Sequence, residues 1–198
     1  RLVGSEMCIR DREGLITLMG GQEKFIGRLD SLFIAESKIE GPLVSSDISG
    51  LIGQYAHGNE PSHHIVHLYN YVNQSWKTQQ LIDTILHTQY FNNPNGLSGN
   101  EDCGQMSAWH VLNAMGFYQV CPGSPIYSVG RPIFDKVTIN LPNGKVFEII
   151  ANNNSRTNKY IQSIRLDNIL LESPFFMHSD IMKGGKIVME MGNTPVKQ

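Results

Sequence analysis

The chain has 198 residues, a formal net charge of −2, 40% hydrophobic and 17% charged residues. That length is enough for one domain or two small ones with a buried core, and the balance of apolar and charged side chains excludes an intrinsically disordered polymer. Lys and Arg are scattered without a basic stripe for nucleic acid, and no apolar run nears the roughly twenty residues of a bilayer span.

Arg1 to Arg10 show no periodicity, lack the apolar middle of a secretory signal, and read as a stub that does not join smoothly to the segment beginning at Asp11. From Asp11, Leu15, Ile16, Leu18 and Met19, then Phe25, Ile26, Leu29, Leu32 and Phe33, recur at helical spacing. Gly20-Gly21 interrupts them, so two short helices with a turn are predicted. Residues 37 to 60 are rich in Gly and Ser, hold Pro42, and read mainly as loop. Ser62 is placed to cap a helix carrying Ile65, Leu68, Tyr69 and Val72 on its buried side. Ser75 to Tyr90 repeats the pattern with Trp76, Leu81, Ile82, Ile85 and Leu86. Asn92 to Gly99, with Pro94 and Asn95-Gly96, is a connection, and a helix is predicted from Asp102 to about Phe117 with Met106, Trp109, Val111, Leu112 and Met115. Trp76 and Trp109 lie on apolar faces and read as core residues rather than sugar-stacking platforms.

Beyond Cys121 the texture changes. Pro122, Pro125, Pro132 and Pro142 break helices, while Val137-Thr138-Ile139 and Val146 to Ile150 favour strands. Pro142-Asn143-Gly144 between them predicts a hairpin. Further strands are expected at Tyr160 to Leu166 and Lys186 to Met191. The division is therefore helical for residues 11–120 and β-rich for 121–198, an α+β pattern of segregated layers. Cys8, Cys103 and Cys121 are too few and too irregular for a zinc ribbon or a disulfide framework. Cys103 and Cys121 pair only if the chain folds back on itself, and otherwise read as buried thiols.

Two polar clusters stand at helix entrances: His57-Gly58-Asn59-Glu60-Pro61-Ser62-His63-His64, and Gly99-Asn100-Glu101-Asp102-Cys103-Gly104-Gln105-Met106-Ser107-Ala108-Trp109. Carboxylates on such loops suit hydrolysis of a polar substrate. Each also has a plain reading. Asp102 with Gln105 has the form of a capping box, and Glu60 complements a helix dipole from the first turn. His63 and His67 have a zinc-binding spacing but no HExxH glutamate between them, so a zinc hydrolase built on His63, His67 and Glu60 ranks behind structural histidines.

The two clusters, together with Cys121-Pro122-Gly123-Ser124-Pro125, resemble glycoside hydrolase family 92, the calcium-dependent exo-acting α-mannosidases. The likeness extends through Glu13-Gly14-Leu15-Ile16, Leu18-Met19-Gly20-Gly21, Tyr160-Ile161-Gln162-Ser163 and Gly184-Gly185. The resemblance implies an α+β fold in which residues 11–120 are the C-terminal part of an (α/α)6 barrel and residues 121–198 are strands of a sandwich-like domain. It also implies that an N-terminal domain of the same protein is missing.

An inverting glycosidase needs an acid on the leaving oxygen and a base on water, roughly 6.5–9.5 Å apart. By resemblance Asp102 is the base. Asn100 stands where the family often has a second acidic residue, and an amide orients water without taking its proton, so Asp102 acts alone or with Glu101. The family's acid is a glutamate just ahead of Asp11, where only Arg1 to Arg10 stand and Glu6 lacks the motif context, so the chain alone is expected to be inactive. Calcium takes oxygen ligands, and Asn59, Glu60 and Asp102 are the best donors. His57, Glu60 and His63 are the candidates for holding sugar. The expected partner is a mannose-containing glycan of N-glycan type, and the expected location is periplasmic or extracellular. The rival reading is a non-catalytic carbohydrate-binding or structural piece.

Overall fold

The computed structural model describes residues 12–38 and 48–197. The expected stub Arg1–Arg10 with Glu6 and Cys8, Asp11, and Pro42 in the expected loop lie outside the described residues.

Helices α1 (Arg12–Leu18) and α2 (Gln22–Ile34) form the predicted pair. Phe25 and Leu29 of α2 pack on Leu68, Tyr69 and Val72. The region read mainly as loop contains a short antiparallel hairpin, β1 (Leu51–Ile52) with β2 (Tyr55–Ala56). A two-residue strand carries too little periodicity to be seen in sequence, and this one is seated by burial of the Tyr55 ring 5.1 Å from that of Phe33.

The segment Ile65–Val72 is helical, but as a 3-10 helix. Its three-residue repeat brings side chains at i and i+3 into line, so His67 and Asn70 both reach Ser128, at 3.1 and 2.7 Å. Ser62 does not cap it. Its hydroxyl donates instead to the carbonyls of Ala56 and Asn59. Helix α3 (Ser75–Thr88) forms as predicted. Helix α4 (Gln105–Met115) starts three residues later than expected, behind Gly104 as N-cap. Its buried side carries Met106, Trp109, Asn113 and Ala114, while Val111, expected on the apolar face, is exposed. Trp109 is a core residue, but Trp76 is only partly buried, with the Lys77 and Lys197 ammonium groups 5.5 and 5.7 Å from its ring.

Two sheets make up the second half. Strands β3 (Phe117–Tyr118), β4 (Ile126–Val129) and β9 (Phe175–Met177) form one, in the order β3-β4-β9. The other takes β5 (Lys136–Asn140), β6 (Val146–Asn152), β7 (Tyr160–Leu166), β8 (Ile169–Leu170) and β10 (Gly185–Gly192) in the order β5-β6-β10-β7-β8. The predicted hairpin is the β5-β6 pair. The last strand inserts between β6 and β7, parallel to the first and antiparallel to the second. Insertion at a central position explains its strict alternation, with Ile187, Met189 and Met191 buried. These residues, Phe147, Ile149 and Ala151 of β6, Phe117, Val129 and Phe176 of the smaller sheet, and Ile181 of α5 (His178–Lys183) share one core.

Helix α3 holds the two halves together. The Gln79 side-chain carbonyl accepts from the Ile161 backbone N–H at 2.9 Å. Four residues on, Asp83 faces Arg131 at 3.0 Å, Lys159 at 3.6 Å and Arg156 at 4.0 Å. Burial lowers the Arg131 pKa and the Asp83 charge opposes that shift, so this guanidinium depends on its partner. Asp83→Ala leaves it charged in a desolvated site, for an expected loss of about 3–5 kcal/mol read from the urea midpoint. Lys159→Ala, at the wetter edge of the cluster, is expected to cost less than about 1 kcal/mol.

Candidate active site

The two polar loops meet through glycines. A Cβ added to Gly99 would lie 2.5 Å from the Gly58 carbonyl oxygen and 2.7 Å from Gly58 Cα, and one added to Gly58 would lie 2.6 Å from the Ser98 carbonyl oxygen. Only residues without side chains allow the backbones this close. The chain continues from Gly58 into Asn59 and Glu60, both part-buried, and from Gly99 into Asn100 and Asp102, both exposed. Backbone bonds from His57 N to Gly50 O and from Gly58 N to Ser49 O, each 3.1 Å, extend the β1-β2 hairpin and fix the first loop.

Behind the loops lies a polar network closed on itself. The Tyr90 hydroxyl donates to the Met106 carbonyl at 3.1 Å. It therefore accepts from His57 Nε2 at 2.7 Å, and His57 Nδ1 in turn accepts from the Tyr55 hydroxyl at 2.9 Å. His63 Nε2 donates to the His57 carbonyl and its Nδ1 accepts from Gln105 Nε2, at 3.0 and 3.1 Å. His67 Nε2 donates to Asn113 Oδ1 at 2.9 Å. Every one of these imidazoles is thereby set in a single neutral tautomer. Burial lowers the pKa of His57 to about 3, with the nearby His63 adding to the shift. Burial likewise lowers His63, His64 and His67 to about 4.

This bears on three of the readings made from the sequence. His57 and His63, read as sugar-binding, are 0% and 1% exposed with both ring nitrogens committed to protein groups, so neither presents a donor or acceptor to a ligand. The zinc alternative fails for the same reason at His63 and His67, and among the described residues no three His, Cys, Asp or Glu side chains converge on a metal position. Cys103 is an exposed free thiol and Cys121 a part-buried one, where buried thiols were expected.

The second loop is wound tightly. Asp102, Cys103 and Gly104 all have positive φ, at 44°, 57° and 94°. For residues bearing a Cβ this region costs about 1–2 kcal/mol each. Asp102 is not the N-cap of α4 and makes no capping box with Gln105. Its carboxylate is exposed, with no hydrogen bond to another described residue. Glu101 behaves differently, since its two oxygens accept from Ser107 N at 3.2 Å and Ser107 Oγ at 2.9 Å. Sequence reasoning missed the supporting residues Gln105, Ser107 and Tyr90. Ser107 stands six residues beyond Glu101, an offset that only the wound loop makes short.

As oxygen donors, the Asn59 amide and the Glu60 and Asp102 carboxylates suit a hard divalent cation such as calcium in kind. They amount to part of its usual six to eight ligands.

The model of the glycosyl hydrolase family 92 catalytic domain matches residues 5–193. A family 92 α-mannosidase from Bacteroides thetaiotaomicron, solved in complex with mannoimidazole, superposes with a TM-score of 0.83 at 42% identity over 89% of this chain and 23% of that one. A family 92 inverting mannosidase from the same organism superposes with a TM-score of 0.82 at 38% identity, over 96% of this chain and 27% of that one. An uncharacterized secreted glycosidase of Arthroderma benhamiae is 28% identical over 185 residues, 92% of this chain and 22% of the relative. The chain thus spans about a quarter of the length of these relatives.

The geometry leads to two expected outcomes. The unfolded chain binds protons at histidine near the ordinary value of about 6.5, whereas the folded chain excludes them until about pH 4 or 3. Stability from these histidines is therefore fully present above pH 6.5 and lost as pH falls through that window, by up to about 1.4 kcal/mol per pH unit for each. Thermal melts between pH 8 and pH 4 should show a melting temperature that drops steeply below pH 6. Gly99→Ala should lower stability by about 1–3 kcal/mol through overlap with Gly58, measured by urea unfolding.

Proposed function

As the chain belongs to glycosyl hydrolase family 92, we propose that it forms the base-bearing part of an enzyme that hydrolyses terminal α-mannosidic linkages in glycans with inversion. In this reading the helical segment is the end of an (α/α)6 barrel and the strands return to a sandwich-like domain. The observation that carries the reading is the Gly58–Gly99 contact, which sets Asn59 and Glu60 beside a loop whose Asp102 carboxylate is exposed and unengaged by described residues.

The chemistry is a single displacement. A water held by Asn100 and Asp102 attacks the anomeric carbon from the face opposite the leaving group. Asp102 takes the water proton as the new C1–O bond forms, and the bond from C1 to the glycosidic oxygen breaks. An acid ahead of Asp11, outside the described residues, protonates that oxygen. One displacement inverts the anomeric centre. Activity is expected only from a form in which that acid is present.

Calcium would be held by Asn59, Glu60 and Asp102 with further oxygen ligands. Held there, the ion would supply positive charge to bind sugar hydroxyls and to favour distortion of the ring. Glu60, part-buried, is also a candidate for contact with the sugar. The buried histidines take no part in ligand contact. They keep the floor of the site rigid and uncharged. The secreted relative from Arthroderma benhamiae supports an extracellular setting, and no helix among the described residues is long and apolar enough to cross a membrane.

In an enzyme that carries this segment together with the preceding family length, Asp102→Asn should lower kcat by about 10²–10⁴-fold. Release of mannose from an α-linked disaccharide, monitored by polarimetry or NMR for the anomer first formed, measures both rate and stereochemistry. Chelation should abolish activity and added calcium restore it. Full activity after either treatment would overturn the corresponding assignment.

A further inference from the structure

We propose that Glu101 is a positioning residue that holds Asp102 in its working place, and that it takes no part in proton transfer. The proposal rests on the reading of Asp102 as the base.

Helix α4 opens behind a glycine, so its N-cap supplies no side-chain acceptor. The first N–H groups of a helix need partners from elsewhere. Here Gln105 N donates to Asp102 O and Met106 N to Glu101 O, both at 3.3 Å. Ser107 N donates to Glu101 Oε1 at 3.2 Å, and Ser107 Oγ donates to Glu101 Oε2 at 2.9 Å. Gly104 N donates to Glu101 O at 3.2 Å. Glu101 thus serves the opening turn through its backbone carbonyl and both carboxylate oxygens.

The consequence falls on Asp102, next in the chain. Its left-handed backbone, with two more left-handed residues after it, is not a conformation the segment would keep unaided. The Glu101 side chain closes the wound loop on the helix at one end, and the Gly58–Gly99 contact pins it at the other. Between those anchors the Asp102 carboxylate is left clear of protein partners among the described residues. Glu101, with both oxygens engaged by Ser107, is badly placed to accept a proton from water.

The test compares variants in the same extended enzyme. Glu101→Gln keeps an acceptor for Ser107 N and should retain kcat within about threefold. Glu101→Ala should lower kcat by about 10–100-fold with KM nearly unchanged, the signature of a displaced base. Ser107→Ala should cause a smaller loss in the same direction, and the double variant Glu101→Ala with Ser107→Ala should be no worse than Glu101→Ala alone. Melting temperatures taken in parallel identify a variant that has simply unfolded, and the Glu101→Gln comparison still decides in that case. A Glu101→Gln enzyme as inactive as Asp102→Asn, or losses that add in the double variant, would overturn the positioning role and leave the base assignment standing. An active Asp102→Asn enzyme would overturn both.

Discussion

The contact between the backbones of Gly58 and Gly99 lets a loop carrying Asn59 and Glu60 lie against another carrying Asn100 and Asp102, because each glycine leaves empty the space a neighbouring Cβ would need. The loops come from distant points in the chain, one from the end of a hairpin and one from the entrance of α4. Backbone contact couples them more rigidly than side-chain contact would, since neither partner has rotamers to explore. The polar side chains beyond each glycine inherit that fixed relation.

Beneath the loops, the histidines have the opposite role from the one their chemistry invites. Four imidazoles occur within residues 57–67, and all are buried. The hydrogen bonds in the chain from Met106 through Tyr90 and His57 to Tyr55 leave the His57 ring one permitted tautomer. The Trp109 indole, which donates to the His63 carbonyl at 3.1 Å, ties the same network to α4. A neutral, fully bonded floor of this kind adds no charge that would compete with the carboxylates above it.

Much of the architecture was legible. The turn at Gly20-Gly21, α3, the Asn143-Gly144 hairpin, and strands β7 and β10 all carry the period or turn chemistry that dictates them. Elements of two to four residues, β1 to β4, β8 and β9, were not, because so short a run contains less than one clear repeat. The start of α4 was misplaced because Asp and Gln three apart imitate a capping box. What excluded it was the left-handed turn at Asp102, a conformation with no residue signature except the nearby Gly104.

At the candidate site the residue types picked out two loops that the fold brings into contact, but not the burial of the histidines. Whether an imidazole faces a ligand or a core depends on which hydroxyls and amides arrive from Tyr55, Tyr90, Gln105 and Asn113, partners up to 46 positions away. By itself the sequence determined the family, the helix-then-strand order and the identity of the two acidic loops, since these come from local pattern and from motifs in order. Only the tertiary structure decided that His57 and His63 are buried with both ring nitrogens bonded to protein groups, that Glu101 is bound to Ser107 and that Asp102 stands clear of described residues. Hydrogen-bond commitment and burial are properties of what surrounds a group, and that surrounding is assembled by the fold.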